Sequence, residues 1–360
     1  MSLLVGTPAP LFTAPSPVNP TFAFGSLGGR YVLLAFLPGP SPERDAAVAL
    51  VQRHQAQFAD LSRVFFGVLP DAESYGRARN IAPLHWFSDV DGALRTLFRA
   101  VGPDGTLEPQ WVLIDPSLRI LDQAPLAEGA ALLDRLAKLG APADHAGVPL
   151  HAPVLIVPRV LDPDYCRQLI DHYNADGGQA SGVMRQQDGK TVGVLDDFKK
   201  RRDANITDPA LVEQLRQQIG RRLLPQITRA FQFTVTHIER YIIACYDAED
   251  GGYFRPHRDN TTTATAHRRF AVSINLNAEE FEGGDLRFPE FGPQTYRPPT
   301  GGAVVFSCSL LHEATPVTRG TRYATLPFLF DEAAEQQRNA NVHTLVGSTG
   351  ALVEAAAATG

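Results

Sequence analysis

A change of texture near residue 150 constrains this chain more than any single motif. Residues 1 to about 140 alternate continuous apolar runs with helical periodicity. Beyond 150 the chain opens with helical stretches and then runs through short alternating segments broken by glycine and proline. Strands alternating with helices predict an α/β sandwich, and helices followed by a run of strands predict an α+β unit with helices packed outside a β-sandwich or barrel. Gly140 to Pro149 (GAPADHAGVP) is small and turn-forming, as a linker would be. The expected organisation is a domain over 1–140, a linker over 141–150, a second domain over 151–332 and a tail over 333–360.

In the first half, Arg30 to Leu37 (RYVLLAFL) ends at Pro38-Gly39-Pro40 and reads as a buried parallel strand. A helix is expected from about Ser41 to Leu61. Val64 to Leu69 and Trp111 to Ile114 are further buried strands, Leu118 to Leu121 pairs with the latter, and Gly129 to Leu139 is an amphipathic helix. In the second half, Asp162-Pro163 and Asp208-Pro209 each pair an N-cap residue with proline at the first helical position. The second of these helices is expected to run to about Phe231. Strands are expected over His237 to Tyr246, Arg269 to Asn277, Asp285 to Phe288, Gly302 to Cys308, His312 to Val317 and Thr321 to Phe330. The stretch from Asp331 shows little periodicity, and Gly347 to Gly360 reads as a fraying end.

Charge and cysteine usage exclude several classes of function. The net charge of −6 gives a field that does not favour nucleic acid. The local run Lys199-Lys200-Arg201-Arg202 reads first as a solvated loop or helix start and second as a contact for an acidic substrate or partner. Three scattered cysteines form no disulfide framework and no CxxC pair. The opening MSLLVGTPAPLF lacks the features of a secretory signal, and no run of about 18 apolar residues appears. The cytoplasm is the expected compartment, with no membrane partner.

The chemistry concentrates late in the chain. His257-Arg258-Asp259 places two ligand-type side chains at i and i+2, on one face of a strand, with Arg258 turned away. His312 offers a third ligand. Structural zinc would more often use cysteine, and calcium or magnesium would want more oxygens. Two histidines and a carboxylate suit iron(II) with open coordination positions. Arg322 follows the hairpin signal Thr318-Arg319-Gly320, which predicts a strand antiparallel to that bearing His312; its guanidinium could grip a carboxylate bidentately. The other histidine-acid pair, His237-Ile238-Glu239, begins a strand without a preceding turn and reads as structural. His267 reads as a surface or lid histidine within the polar segment Asn260 to Arg268, itself the expected lid. Asn275 and Asn277 share a strand face, either lining the pocket or serving the structure.

Several segments together carry a resemblance: CYDAEDGGYFRPHRDN (Cys245 to Asn260), FEGGDLRFPEFG (Phe281 to Gly292) and GGAVVFSCSLLHEATPVTRGTRY (Gly301 to Tyr323). Over about Leu155 to Phe330 the chain resembles the Fe(II)- and 2-oxoglutarate-dependent dioxygenases of the prolyl 4-hydroxylase-like group. That resemblance implies a double-stranded β-helix, or jelly-roll, with His257, Asp259 and His312 as ligands of Fe(II). Arg322 would bind the distal carboxylate of 2-oxoglutarate, and Tyr246 would hydrogen-bond the same co-substrate. It implies hydroxylation of a peptidyl, prolyl-type, or amino-acid-like substrate with release of succinate and carbon dioxide, and it brings ascorbate as a reductant. Asp259 stands against halogenation, which would need a small residue in its place. The alternative is a metal-binding pseudoenzyme, or a sensor of 2-oxoglutarate or oxygen, with the first domain as interaction module.

The first domain resembles thioredoxin-like proteins, specifically peroxiredoxins, through Gly6 to Phe12 (GTPAPLF) and Trp111 to Pro116 (WVLIDP). A peroxiredoxin carries its reactive cysteine where the helix after the first buried strand begins. Here that region reads PGPSPERD (Pro38 to Asp45), and residues 1 to 165 contain no cysteine. Thiol peroxidase chemistry is therefore unavailable to this domain. A scaffold, a docking module or a homodimerisation surface is the expected role.

Overall fold

A computed structural model describes residues 3–78 and 84–346; the expected fraying end, 347–360, lies outside them. The chain divides into two compact units. One runs to Ala152 and includes Pro289–Pro293; the other comprises Pro153–Phe288 and the chain from Gln294 onward. The expected linker belongs to the first unit and contains a short 3-10 turn, Pro142–Asp144.

The first unit has the thioredoxin-like fold. Its sheet runs in the order Leu84–Ser88, Arg63–Leu69, Tyr31–Phe36, Gln110–Ile114, Ile120–Pro125. The first three strands are parallel and the last two antiparallel. Every residue of Tyr31–Phe36 is buried, because both faces of this central strand are covered. Val32, Leu34 and Phe36 pack with Phe24, Leu94 and Phe98. Leu33 and Ala35 pack with Val51, Leu132 and Leu136 from the flanking helices. The expected helix from Ser41 to Leu61 stops at Arg53, and a 3-10 turn over Gln55–Phe58 follows. Ser41 caps its start, its hydroxyl accepting from the Arg44 amide at 3.2 Å.

The second unit is a jelly-roll of two sheets. The smaller runs Lys199–Lys200, Tyr253–His257, His312–Ala314, Leu286–Arg287, Thr295–Tyr296. The larger has nine strands, with Phe270–Asn275, Thr321–Thr325 and Ile242–Asp247 at its centre. Period-two alternation along Ile242–Asp247 sorts its residues between two cores. Ile243 and Cys245 join Tyr165, Leu169, Leu215 and Ile219 beneath the helices, while Ala244 and Tyr246 join Ala314 and Val317 within the sandwich.

Several expected elements are shorter than their apolar runs. The helix expected to reach Phe231 is two helices, Pro209–Arg222 and Leu224–Phe231. Pro225 lacks the amide hydrogen a continuous helix would need there. The strand expected over His237 to Tyr246 breaks between Glu239 and Ile242, where Arg240 adopts a left-handed φ of 77°. Asp162 stands at its N-cap position but its side chain does not cap the helix; it pairs with Arg222 at 2.7 Å instead. The stretch from Asp331, expected to be without periodic structure, forms a capped helix, Glu332–Asn341, and a short strand, Leu345–Val346, parallel to Lys190–Val194. No helix of the described residues is long and apolar enough to cross a membrane.

Candidate metal centre

The strands Tyr253–His257 and His312–Ala314 pair antiparallel with His257 opposite His312 and Phe254 opposite Ala314. Three residue steps on one strand therefore match two on the other. Such a bulge re-aims the side chains next to it, and the two imidazoles meet with ring centroids 4.3 Å apart. Asp259 does not share the strand with His257, contrary to expectation. The strand ends at His257, and Asp259 lies in the following turn, where its amide donates to the Cys308 carbonyl at 3.0 Å. Arg258 does turn away and donates to the Ser309 carbonyl.

His257 Nε2 lies 3.5 Å from Asp259 Oδ1, and His312 Nε2 lies 3.3 Å from Asp259 Oδ2. One ligand atom from each of the three residues falls within 4.8 Å of the others. Metal–ligand bonds of about 2.1 Å put neighbouring octahedral ligands about 3 Å apart, so this spacing suits a single ion. The tautomers suit it as well. His257 Nδ1 contacts the Arg255 carbonyl at 2.8 Å and His312 Nδ1 the Leu310 carbonyl at 3.0 Å. Carbonyls only accept, so both Nδ1 atoms carry the proton and both Nε2 lone pairs face Asp259.

Electrostatics agree with that reading. Burial, with His312 alongside, pushes the His257 imidazole down to about 4. Burial alone would raise the Asp259 carboxyl, but the two imidazoles hold it well below the ordinary carboxylate range. The donor set at neutral pH therefore includes a neutral His257 and an ionised Asp259, as metal binding requires.

Arg322 is 2% exposed. The predicted hairpin with the His312 strand does not form: Pro316 interrupts the strand, and Thr321–Thr325 joins the larger sheet between Ile242–Asp247 and Phe270–Asn275. Arg322 thus approaches the pocket from the sheet opposite His312. It donates to Ser273 Oγ at 2.8 Å and Asn275 Oδ1 at 3.3 Å, both neutral. Gly284 allows this placement, since a Cβ there would lie 3.2 Å from Arg322 Cδ and 2.8 Å from Val317 Cγ2. Tyr246 sits opposite Arg322 in the strand register, and its hydroxyl accepts from Arg201 Nη1 at 3.3 Å. Asn275 therefore steadies Arg322. Asn277 instead ties backbone, donating to the Thr321 carbonyl at 2.8 Å and accepting from the Tyr323 amide at 2.9 Å.

Two expectations fail here for one reason: polar residues found partners. His267 is buried at 2% exposure, 2.5 Å from Glu239 Oε2, and is neither a surface nor a lid histidine. The expected lid, 260–268, is a packed turn. Thr262 and Thr265 cap each other, the Thr263 amide donates to Gln186 Oε1 at 2.9 Å, and Asn341 reaches the Thr263 carbonyl at 3.0 Å. His237, as expected, is away from the pocket, stacked on Phe330.

The run Lys199 to Arg202 departs from its first reading and contributes Arg201 to the pocket. It links two strands, Lys199–Lys200 of the smaller sheet and Arg202–Asn205 of the larger, and is not wholly solvated: Lys199 and Arg201 are buried, and Lys200 and Arg202 are exposed. Arg201 and Arg240 both line the pocket. Arg201 is held by Asp203 at 2.6 Å. The basic run hid this, because alternation cannot be read where every position carries the same charge.

Buried ion pairs around the pocket should make the fold acid-sensitive. Burial alone would raise the Asp203 and Glu239 carboxyls. Arg201, with Lys199 and Arg240, holds Asp203 far below the ordinary range, and Arg268 with His267 does the same for Glu239. A carboxyl depressed in the folded state stabilises above its unfolded value of about 4, and that contribution is lost as pH falls toward the folded value. Urea midpoints should therefore drop steadily below about pH 4. Glu239→Gln should lower stability at pH 7 by about 3–5 kcal/mol, because it leaves Arg268 without its anion. It should also flatten the acid dependence; an unchanged urea midpoint would contradict this.

Comparison with known proteins locates this geometry. The profile of the 2OG-Fe(II) oxygenase superfamily matches residues 241–330, the span that holds Tyr246, His257, Asp259, His312 and Arg322. A PKHD-type hydroxylase of Delftia acidovorans is 33% identical over 183 residues, covering 48% of this chain and 76% of that protein. The chain belongs to the 2OG-Fe(II) oxygenase superfamily. This oxygenase is an Fe(II)/2-oxoglutarate-dependent hydroxylase, and the relationship lies in its second unit. Among solved structures, a Trichoplax adhaerens prolyl hydroxylase bound to a peptide fragment is similar at 17% identity and a TM-score of 0.41, covering 52% of this chain and 86% of that one. Mycobacterium tuberculosis AhpC is similar at 18% identity and a TM-score of 0.32, covering 38% and 95%.

Proposed function

We propose that the oxygenase holds Fe(II) on His257, Asp259 and His312, holds 2-oxoglutarate on Arg322 and Tyr246, and hydroxylates a peptidyl, prolyl-type, or amino-acid-like substrate. The observation that carries this is the convergence of two imidazole Nε2 atoms on one carboxylate, with both Nδ1 atoms committed to backbone carbonyls. When bound, the metal supplies dioxygen activation: one oxygen atom enters a C–H bond of the substrate while 2-oxoglutarate is oxidised to succinate and carbon dioxide.

The protein's own groups account for the rest. Arg322 presents a desolvated guanidinium with only neutral partners, ready for a carboxylate. Arg201 donates to the Tyr246 oxygen, which leaves the tyrosine proton free for the co-substrate. Phe254 stacks on His257 at 3.5 Å between centroids and Phe306 packs against His312 at 4.5 Å. These rings exclude water from the ligand side chains.

The test is a screen of amino acids and proline-containing peptides with Fe(II), 2-oxoglutarate and air, with and without ascorbate. A product heavier by one oxygen atom should appear together with succinate, and His257→Ala should abolish both. Succinate formation that persists in His257→Ala would contradict the proposal.

A further inference from the structure

The pocket contains four buried or nearly buried arginines in or beside it, and they fall into two pairs. Arg201 and Arg268 each hold a carboxylate at short range: Asp203 at 2.6 Å and Glu239 at 2.7 Å. Arg322 and Arg240 do not. Arg322 touches only the neutral Ser273 and Asn275. Among the described residues, Arg240 has one ion-pair contact, of 3.4 Å to Asp203 Oδ2, an oxygen that already accepts from Arg201 at 2.6 Å and from Ser181 at 2.5 Å.

The electrostatic consequences follow the same division. Burial opposes the charge on all four. Asp203 nevertheless raises Arg201, and Glu239 raises Arg268. Burial lowers Arg322, and burial with repulsion from Arg201 pushes Arg240 down to about 10. Two guanidiniums in one enclosed pocket thus lack an adequate counter-ion. One of them, Arg322, is assigned above to the co-substrate.

The charge count agrees. Fe(II) and the 2-oxoglutarate dianion cancel, as do Asp259 and Arg322. Of the remaining buried groups, Asp203 is shared by Arg201, Lys199 and Arg240, so positive charge is left over beside Arg240. Arg240 holds φ at 77°, in the left-handed region that favours glycine. That conformation breaks the strand between Glu239 and Ile242, and the Arg240 side chain lines the pocket with the metal-ligand candidates, its guanidinium over the Phe328 ring at 5.4 Å.

We infer that Arg240 is a specificity-determining residue that anchors a carboxylate of the primary substrate. The substrate is an acid, and its carboxylate is either the α-carboxylate of a free amino acid or an acidic side chain of a peptide. This rests on the proposed function, because the count assigns Arg322 to 2-oxoglutarate.

The experiment uses the full chain loaded with Mn(II), a redox-silent substitute, and follows binding by calorimetry. Binding of Mn(II) and then 2-oxoglutarate is measured first; failure there would overturn the proposed function itself. One arm then compares free L-amino acids with their α-carboxamides. The other compares end-blocked tripeptides carrying central Asp or Glu with those carrying Asn or Gln. In one arm the acid should bind at least about tenfold more tightly than its amide, the scale of a charge-assisted bond. Arg240→Gly, which suits the local backbone, should abolish that preference while leaving 2-oxoglutarate affinity unchanged. Arg240→Lys should retain part of it. Thermal melting checks that both variants fold. Equal binding of acids and amides, or no binding by any probe, overturns the inference. So does a preference that survives in Arg240→Gly, or a loss of 2-oxoglutarate affinity in that variant.

Discussion

Asp259→Ala should lose metal binding and turnover together while the fold persists. Residues one step removed from a bound metal are typically worth about 10–100-fold in affinity, so loss of a direct ligand should exceed about 100-fold. Without Asp259 the site presents two imidazoles and no anion. The checks are Mn(II) titration, succinate release and thermal melting on the same preparation. Parent-like metal affinity in the variant would show that the carboxylate is not a ligand.

Arg322→Met should separate the co-substrate from the metal. Two charge-assisted hydrogen bonds to a carboxylate, each worth about 1.5–3 kcal/mol, are lost together. The 2-oxoglutarate dissociation constant should rise about 10²–10⁴-fold while Mn(II) affinity stays at the parent value. Arg322→Lys should not restore it, because an ammonium cannot reproduce the planar fork. The metal-free Arg322→Met protein should also melt higher than the parent. Burial lowers the Arg322 pKa, and its hydrogen-bond partners are neutral, so the guanidinium is a liability to the fold until an anion arrives. Unchanged 2-oxoglutarate affinity would remove Arg322 from the site.

The sequence was most legible where one periodicity ruled. Tyr31–Phe36 and Arg63–Leu69 read directly as buried strands because both sheet faces are covered. The metal-ligand candidates were legible as residue types at short spacing. Their geometry was not: Asp259 reaches the centre from a turn, through a backbone bond to Cys308, rather than by strand alternation. Arg322 was found by its spacing from His312 but placed in the wrong sheet, since a local turn signal cannot announce a crossover. A signal was overlooked at Asp188-Gly189, whose φ values of 47° and 75° close the hairpin of Val183–Gln187 and Lys190–Val194. Alternation back from Tyr246 through Ala244 and Ile242 puts Arg240 on the same face, and Arg240 and Tyr246 both line the pocket; the left-handed backbone and the shared carboxylate at Arg240 are not displayed by the residue order.

The central claim is that His257, Asp259 and His312 hold one metal ion, and a crystal of the protein soaked with Mn(II) and 2-oxoglutarate tests it most directly. Anomalous scattering at the manganese edge should show a single peak bonded to His257 Nε2, His312 Nε2 and an Asp259 oxygen, with the 2-oxoglutarate carboxylate on Arg322. A peak elsewhere in the chain, or none at this site at saturating Mn(II), would contradict it.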